Sequence, residues 1–262
     1  MIIYKYFKCL YTFLFSKEHF VKTYFNNTVH VLKVDDFNKI KVASKRTGNT
    51  IFSFVKSNSA WGGINGGFFN HSDGSPVSKV YINDNLLDDP KNNKSLVNNK
   101  KLKNLLDKIF NRSELRLTEF KGQKKINICL NDYPLKNGER RLYSLQAGPQ
   151  LLPRITLEEE AFISKDSKGN ILRDGISSFS KVARSAVGIT KEQNLIFVSI
   201  GDKGLTIDEL STVMKNLGAI KAMALDGGSS VSMVWTEGNN YKYFSSMGKN
   251  LALINSAILI TN

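Results

Sequence analysis

The sequence predicts an α+β fold: a single domain of twisted mixed β-sheets with a few helices and a C-terminal strand-helix-strand unit. Three observations carry this expectation. Short runs rich in Val, Ile and aromatic residues recur along the chain, separated by Gly, Asn and Asp turn clusters. Helical periodicity is confined to a few segments. No repeat with a period of about 20 to 50 residues is present, which sets aside solenoids and propellers. With 262 residues and 41% hydrophobic composition, the chain is long enough to bury one sizeable core.

The N-terminus, "MIIYKYFKCLYTFLFSKEHF", is apolar and aromatic but broken by Lys5 and Lys8. The uninterrupted stretch from Cys9 to Phe15 is too short to cross a bilayer, and no small-residue cleavage site follows it. Residues 1–27 therefore read as an atypical export signal or membrane anchor, the alternative being a first amphipathic helix, with the folded domain spanning 28–262. Export or membrane association is the expectation this segment raises. "TVHVLKVD" alternates with period two, placing Val29, Val31 and Lys33 on one face. "NTIFSFVKSN" opens a helix capped at Asn49 or Thr50 and leads through "AWGGI" to "NGGFFN". "VSKVYIND" and "KINICLN" are further strands.

The formal charge of +14 is unevenly placed: +12 of it falls in residues 1–125 and +2 in residues 126–262. Residues 91–125 alone hold 11 basic and 3 acidic side chains. They read as a basic, solvated insertion with a helix at about Leu102 to Phe110, dispensable for chemistry. No aromatic residues alternate with the charges as a stacking platform for bases requires, so nucleic acid is a disfavoured partner.

The clearest unit spans residues 194–235. "LIFVSI" is a buried strand, Thr206 and Glu209 form a capping box, and Ile207, Leu210, Val213, Met214 and Leu217 follow at helical spacing, ended by Gly218. "IKAMAL" is the next strand, so a parallel crossover is expected. Ligands collect at the carboxyl ends of strands in such units, where Asp226 follows one strand and Gly201 and Asp202 the other. "LDGGSS" can equally be a glycine turn.

Four stretches in order, "INGGFFN", "QAGPQLL", "RSAVGIT" and "GLTIDELSTVMKNLGAIKAMALDGGSS", resemble the phosphodiester glycosidase family, over roughly residues 28–262. The resemblance implies a hydrolase that removes a sugar from a phosphodiester at its anomeric carbon, on a glycan or cell-envelope type substrate. It places Asn65, Gly66, Gly67, Gly148, Arg184, Asp226, Gly227, Gly228 and Ser229 at the site. Two departures stand out. Many members read L-D-G-G-G-S where this chain has "LDGGSS", and residues 91–125 have no recognised counterpart.

The chemistry suits these residue types. A phosphate is already a stable leaving group, so one carboxylate can suffice where ordinary glycosidases use two. Asp226 is the expected base or nucleophile, with Asp202 in reserve, and Arg184 the expected bidentate grip on phosphate. Asn65 can bond a sugar hydroxyl or orient the reacting groups; the alternative is a turn residue before a glycine pair. Glycines 66, 67, 148, 227 and 228 would bring backbone N–H groups to phosphate oxygens. Ser229 and Ser230 read as hydrogen-bond donors, Glu209 as a helix cap and His71 as part of a solvent-facing turn. No cofactor is required; a divalent cation is not indicated, Asp88 and Asp89 serving equally as turn residues. No protein partner is predicted. The competing class is a non-catalytic protein that binds phosphorylated glycans or other polyanions on the same fold. Convergence of Asp226, Arg184 and Asn65 on one cleft would favour the enzyme.

Overall fold

The structure, a computed structural model, describes residues 17–262. Among them, three sheets share one core. The first runs in the order β1 (Lys17–Tyr24), β2 (Asn27–Val34), β14 (Leu195–Leu205), β13 (Val182–Thr190), β15 (Ala219–Ala224) and β10 (Gln150–Leu152). The second runs β17 (Asn240–Ser245), β16 (Ser232–Glu237), β4 (Gly62–Asn65), β18 (Ile254–Ile260) and β3 (Ile40–Asn49). The third runs β6 (Asn85–Asp88), β5 (Val80–Ile82), β9 (Arg140–Gln146), β7 (Ser113–Phe120) and β8 (Gln123–Leu130). A separate hairpin joins β11 (Ile163–Lys165) to β12 (Ile171–Asp174).

Alternation along each strand explains how the layers assemble. On β2, Leu32 and Val34 face the common core with Phe197, Met223 and Ile258. Val29 and Val31 face the other side, where helix α4 (Ile207–Asn216) covers the sheet with Ile207, Leu210, Val213 and Met214. Burying each such side chain contributes about 1.5–3 kcal/mol. The expected capping box is present, with Thr206 accepting from the Glu209 amide and Glu209 from the Thr206 amide. Helix α1 (Ile51–Ser57) covers the second sheet with Ile51, Phe54 and Val55, and Thr50 is its cap, accepting from the Ser53 amide at 3.1 Å.

Every strand ladder among the described residues is antiparallel. The strand-helix-strand unit exists, but β13 lies between β14 and β15 and pairs with both, so the two run parallel one position apart.

Two boundaries differ from the sequence expectation. Residues 17–24, assigned to an N-terminal segment, form strand β1, paired along its whole length with β2, so the domain includes them. The anchor expected in "MIIYKYFKCLYTFLFS" lies outside the described residues, and no described helix is long and apolar enough to cross a membrane. Residues 91–125 are not a solvated insertion. They begin with the short helices α2 (Lys94–Val97) and α3 (Leu106–Phe110) but continue into β7, which lies between β9 and β8 and sends Leu115 and Leu117 into the common core. Part of the charge there is internal. Arg116 donates to Glu114 at 2.5 Å and to three backbone carbonyls, and both residues are buried. A charge count treats such pairs as surface, although burial is tolerable because every group is bonded. The acid pair 88–89 is also taken up within the protein: Asp88 bonds Ser44 and Arg46 of β3, while Asp89 caps a short turn.

Candidate active site

The last residue of β4, Asn65, is fully buried, and its amide ties three strands to the turn after β15. Nδ2 donates to the Asp226 carbonyl at 2.8 Å, and Oδ1 accepts from Ser185 Oγ at 2.7 Å and from the Ser232 amide at 3.2 Å. The Asp226 amide donates to the Gly66 carbonyl at 3.0 Å and that of Leu225 to Ser185 at 2.8 Å. The backbone carrying Asp226 is thus pinned from both sides, which fixes where its carboxyl group sits.

That carboxyl group lies in an unusual environment. Oδ1 accepts from the Gly227 amide at 3.0 Å, while Oδ2 is shielded from solvent and makes no hydrogen bond within the protein. Desolvation pushes its pKa up to about 7, opposed by the nearby Ser230 hydroxyl and the Gly227 amide. Ser230 Oγ is also buried and, though close, does not meet Asp226 with hydrogen-bonding geometry. Asp226 is therefore divided between acid and carboxylate near neutral pH, the range in which proton transfer is most effective.

Asp226 and Arg184 line one cleft of about 360 Å³, bordered by Phe68, Phe69 and His71 on one side and by Ile176 and Ser177 on the other. A larger cavity of about 490 Å³ lies on the outer face of the third sheet and shares no residue with it. The smaller one is the candidate site, because of the two it alone combines a desolvated carboxyl group with a buried cation.

Arg184 corrects the sequence expectation in part. It reaches the cleft, but its guanidinium donates to the carbonyls of Leu205 (2.9 Å), Ile176 (2.8 Å), Ser177 (2.7 Å) and Ser180 (3.2 Å). Of five N–H groups one remains, on Nη1, so no bidentate fork is available to phosphate. Arg184 instead holds the loop at 176–180 in place. It forms no salt bridge among the described residues; burial lowers its pKa to about 10, opposed by the charge of Asp174, so part of its positive charge is left to act on the cleft.

The glycines divide similarly. The Gly66 amide donates to the Ser256 carbonyl (2.9 Å), that of Gly67 to Ser256 Oγ (3.0 Å) and that of Gly148 to the Ala224 carbonyl (3.0 Å), so none reaches a phosphate. Gly66 and Gly67 serve close packing: a Cβ on Gly66 would lie 2.5 Å from Ser256 Oγ. The Gly227 amide faces its neighbour Asp226. Gly228, at φ +61, is exposed at the cleft, while Ser229 lines an adjoining depression with Arg46, His71 and Asp73.

Asn65 does not face the cleft, since its amide is taken up by protein; of its two expected roles, the geometry fits orientation and not contact with a sugar. Asp202 is elsewhere. Strand β14 runs on to Leu205, so Asp202 lies within the strand, exposed, accepting from the Thr28 amide at 3.1 Å. Sequence reasoning left Phe68 and Phe69 without a role and set His71 aside as a turn residue. His71 is exposed, but its ring packs against Phe69 with centroids 4.4 Å apart at the cleft rim. The signal was their position beside Asn65 in "INGGFFNH".

A search of curated protein sequences returns no match. Among solved structures the chain is similar to the catalytic domain of zebrafish N-acetylglucosamine-1-phosphodiester alpha-N-acetylglucosaminidase, described as auto-inhibited by its pro-peptide. The TM-score is 0.68 at 16% identity, covering 94% of this chain and 83% of that one. It is also similar to a hypothetical protein from Synechocystis (TM-score 0.59, 15% identity, 93% and 61% covered) and a protein of Burkholderia pseudomallei K96243 (0.62, 16%, 90% and 74%). At these identities the likeness shows a shared fold. The sequence profile described as phosphodiester glycosidase matches residues 58–261, which takes in the whole third sheet, the Asp226 turn and every strand of the other two sheets except β1, β2 and β3. The chain belongs to the phosphodiester glycosidase family.

Proposed function

We propose that this protein is a hydrolase that cleaves the glycosidic bond of a sugar-1-phosphodiester of glycan or cell-envelope type. The observation that carries the reading is Asp226, a rigidly anchored carboxyl group on a cleft, with a pKa of about 7 and one oxygen without a protein partner. Family membership supports a glycosidase that acts on phosphodiesters.

The phosphate departs as a stable anion, so the reaction needs charge stabilisation more than a proton donor. One carboxylate then suffices, attacking the anomeric carbon or accepting a proton from the attacking water. Phe68 and Phe69 offer apolar surface to a sugar ring. Arg184 stabilises the departing phosphate chiefly through its field, with a single N–H to donate, and His71 and the exposed Gly228 backbone stand at the rim.

The test is a screen of sugar-1-phosphodiesters, varied in sugar and in aglycone, in water enriched in oxygen-18. Glycosidic cleavage places the label in the released sugar. Label in the phosphate would mean that the P–O bond breaks, and the reading would be wrong. A folded protein that binds these compounds but turns over none would favour the non-catalytic class.

A further inference from the structure

On β7 and β8 the side chains opposite the core, among them Thr118, Phe120, Lys125 and Asn127, floor the cavity of about 490 Å³. The loop from Tyr133 to Glu139 walls one side. Lys124, Lys125 and Lys136 line it, and Lys221 reaches its floor from β15, donating to Asn127 Oδ1 at 2.7 Å. None of the four forms a salt bridge among the described residues. The lining carboxylate, Glu139, already accepts from Thr118 Oγ1 at 2.6 Å and from the Lys136 amide at 2.9 Å. Clustered ammonium groups facing a concave surface raise the local potential and attract anions. Tyr133 adds an aromatic ring, 58% exposed, on a backbone held where its carbonyl accepts from Arg116 Nη1 at 2.7 Å.

We propose that this cavity is a second binding site, for an acidic glycan chain. The lysines take its phosphate or carboxylate groups and Tyr133 offers a ring face to an adjacent sugar. A volume of about 490 Å³ lies within the range of ligand sites. Nucleic acid fits less well, because it calls for successive stacking platforms and the Phe120 ring already lies under the ammonium groups of Lys121 and Lys136, 5.3 and 5.9 Å from its centroid. The cavity shares no residue with the Asp226 cleft, so it would retain a polymer and take no part in the chemistry.

Binding is measured by calorimetry for the wild type and for Asp226→Asn, with phosphomannan and polygalacturonate as probes and neutral dextran and a short oligothymidylate as comparisons. Both proteins should bind an acidic glycan alike and ignore dextran. The combination Lys124→Ala, Lys125→Ala and Lys136→Ala should weaken binding at least ~10-fold at low salt with the melting temperature unchanged. Lys125→Glu alone should weaken it too, and Tyr133→Ala by about 2–10-fold. Binding of phosphomannan alone identifies phosphate as the anion; binding of polygalacturonate alone identifies carboxylate. Binding of neither, a triple alanine variant as tight as the wild type, or tighter binding of oligothymidylate overturns the proposal. In Asp226→Asn no turnover enters the measurement, and polygalacturonate carries no phosphodiester for the wild type to cleave, so failure of the catalytic reading leaves this result independent.

Discussion

Replacing Asp226 by Asn should remove activity and at the same time stabilise the protein above neutral pH. The carboxyl group has a pKa of about 7 when folded against 3.8 ordinarily, with desolvation as the main cause. The folded state therefore holds this proton more tightly than the unfolded chain does. Stability from that preference is complete below about pH 4 and is lost as pH rises through 7. The interval between the two values corresponds to at most about 4 kcal/mol, and water in the cleft reduces it to about 2–4 kcal/mol. Asn cannot ionise, fills nearly the same volume and escapes this loss. For a domain of this size, roughly 2–4 °C per kcal/mol places the Asn variant about 5–10 °C above the wild type at pH 8. The assay is thermal unfolding of both proteins from pH 4 to pH 8, beside turnover of a sugar phosphodiester. The gap should open between pH 4 and 7, and turnover should fall by more than ~10³. With Asp226 as base or nucleophile, the wild-type rate should rise with pH through about 7. A gap independent of pH, or a wild type that is the more stable at pH 8, would refute the desolvation argument.

Three other outcomes follow from the same structure. Arg184→Lys leaves most of the carbonyls at 176–180 and 205 without their donor, so chemical denaturation should show a loss of about 2–4 kcal/mol, and the Michaelis constant should rise as the cleft wall loosens. Asn65→Ala removes the bonds to Asp226, Ser185 and Ser232; it should cost about 2–3 kcal/mol and lower kcat with little change in ligand binding, which would distinguish a positioning residue from a sugar contact. His19 packs on Trp235 with centroids 3.6 Å apart and lies 3.2 Å from His30; burial first, then His30, lowers its pKa to about 4. The contribution of neutral His19 is present above about pH 6.5 and lost as pH falls toward 4, so His19→Phe should lessen acid destabilisation by ~1–2 kcal/mol after screening, read from urea midpoints at pH 7.5 and 4.5; equal slopes would count against it.

The features legible along the chain were local ones. The capping box at Thr206 and Glu209, the apolar stripe of α4, the alternation of β2 and the position of Asp226 just beyond β15 depend on periodicity and on neighbours a few residues away, and each is present. The ordered motifs carried the family. Tertiary structure decided the partners of the polar groups. Nothing near Arg184 in the chain reveals that carbonyls 176, 177, 180 and 205 converge on its guanidinium, or that Asn65 meets Ser185 and Ser232 from two other strands. The charge of residues 91–125 looked external because composition cannot tell a solvated Lys124 from an Arg116 buried against Glu114. Likewise, β14 hides where it ends, because a strand stops where its ladder partner stops, and that partner is chosen by packing. Hydrophobic pattern is written along the chain, whereas a hydrogen bond or a desolvated carboxyl group exists only between segments that folding brings together.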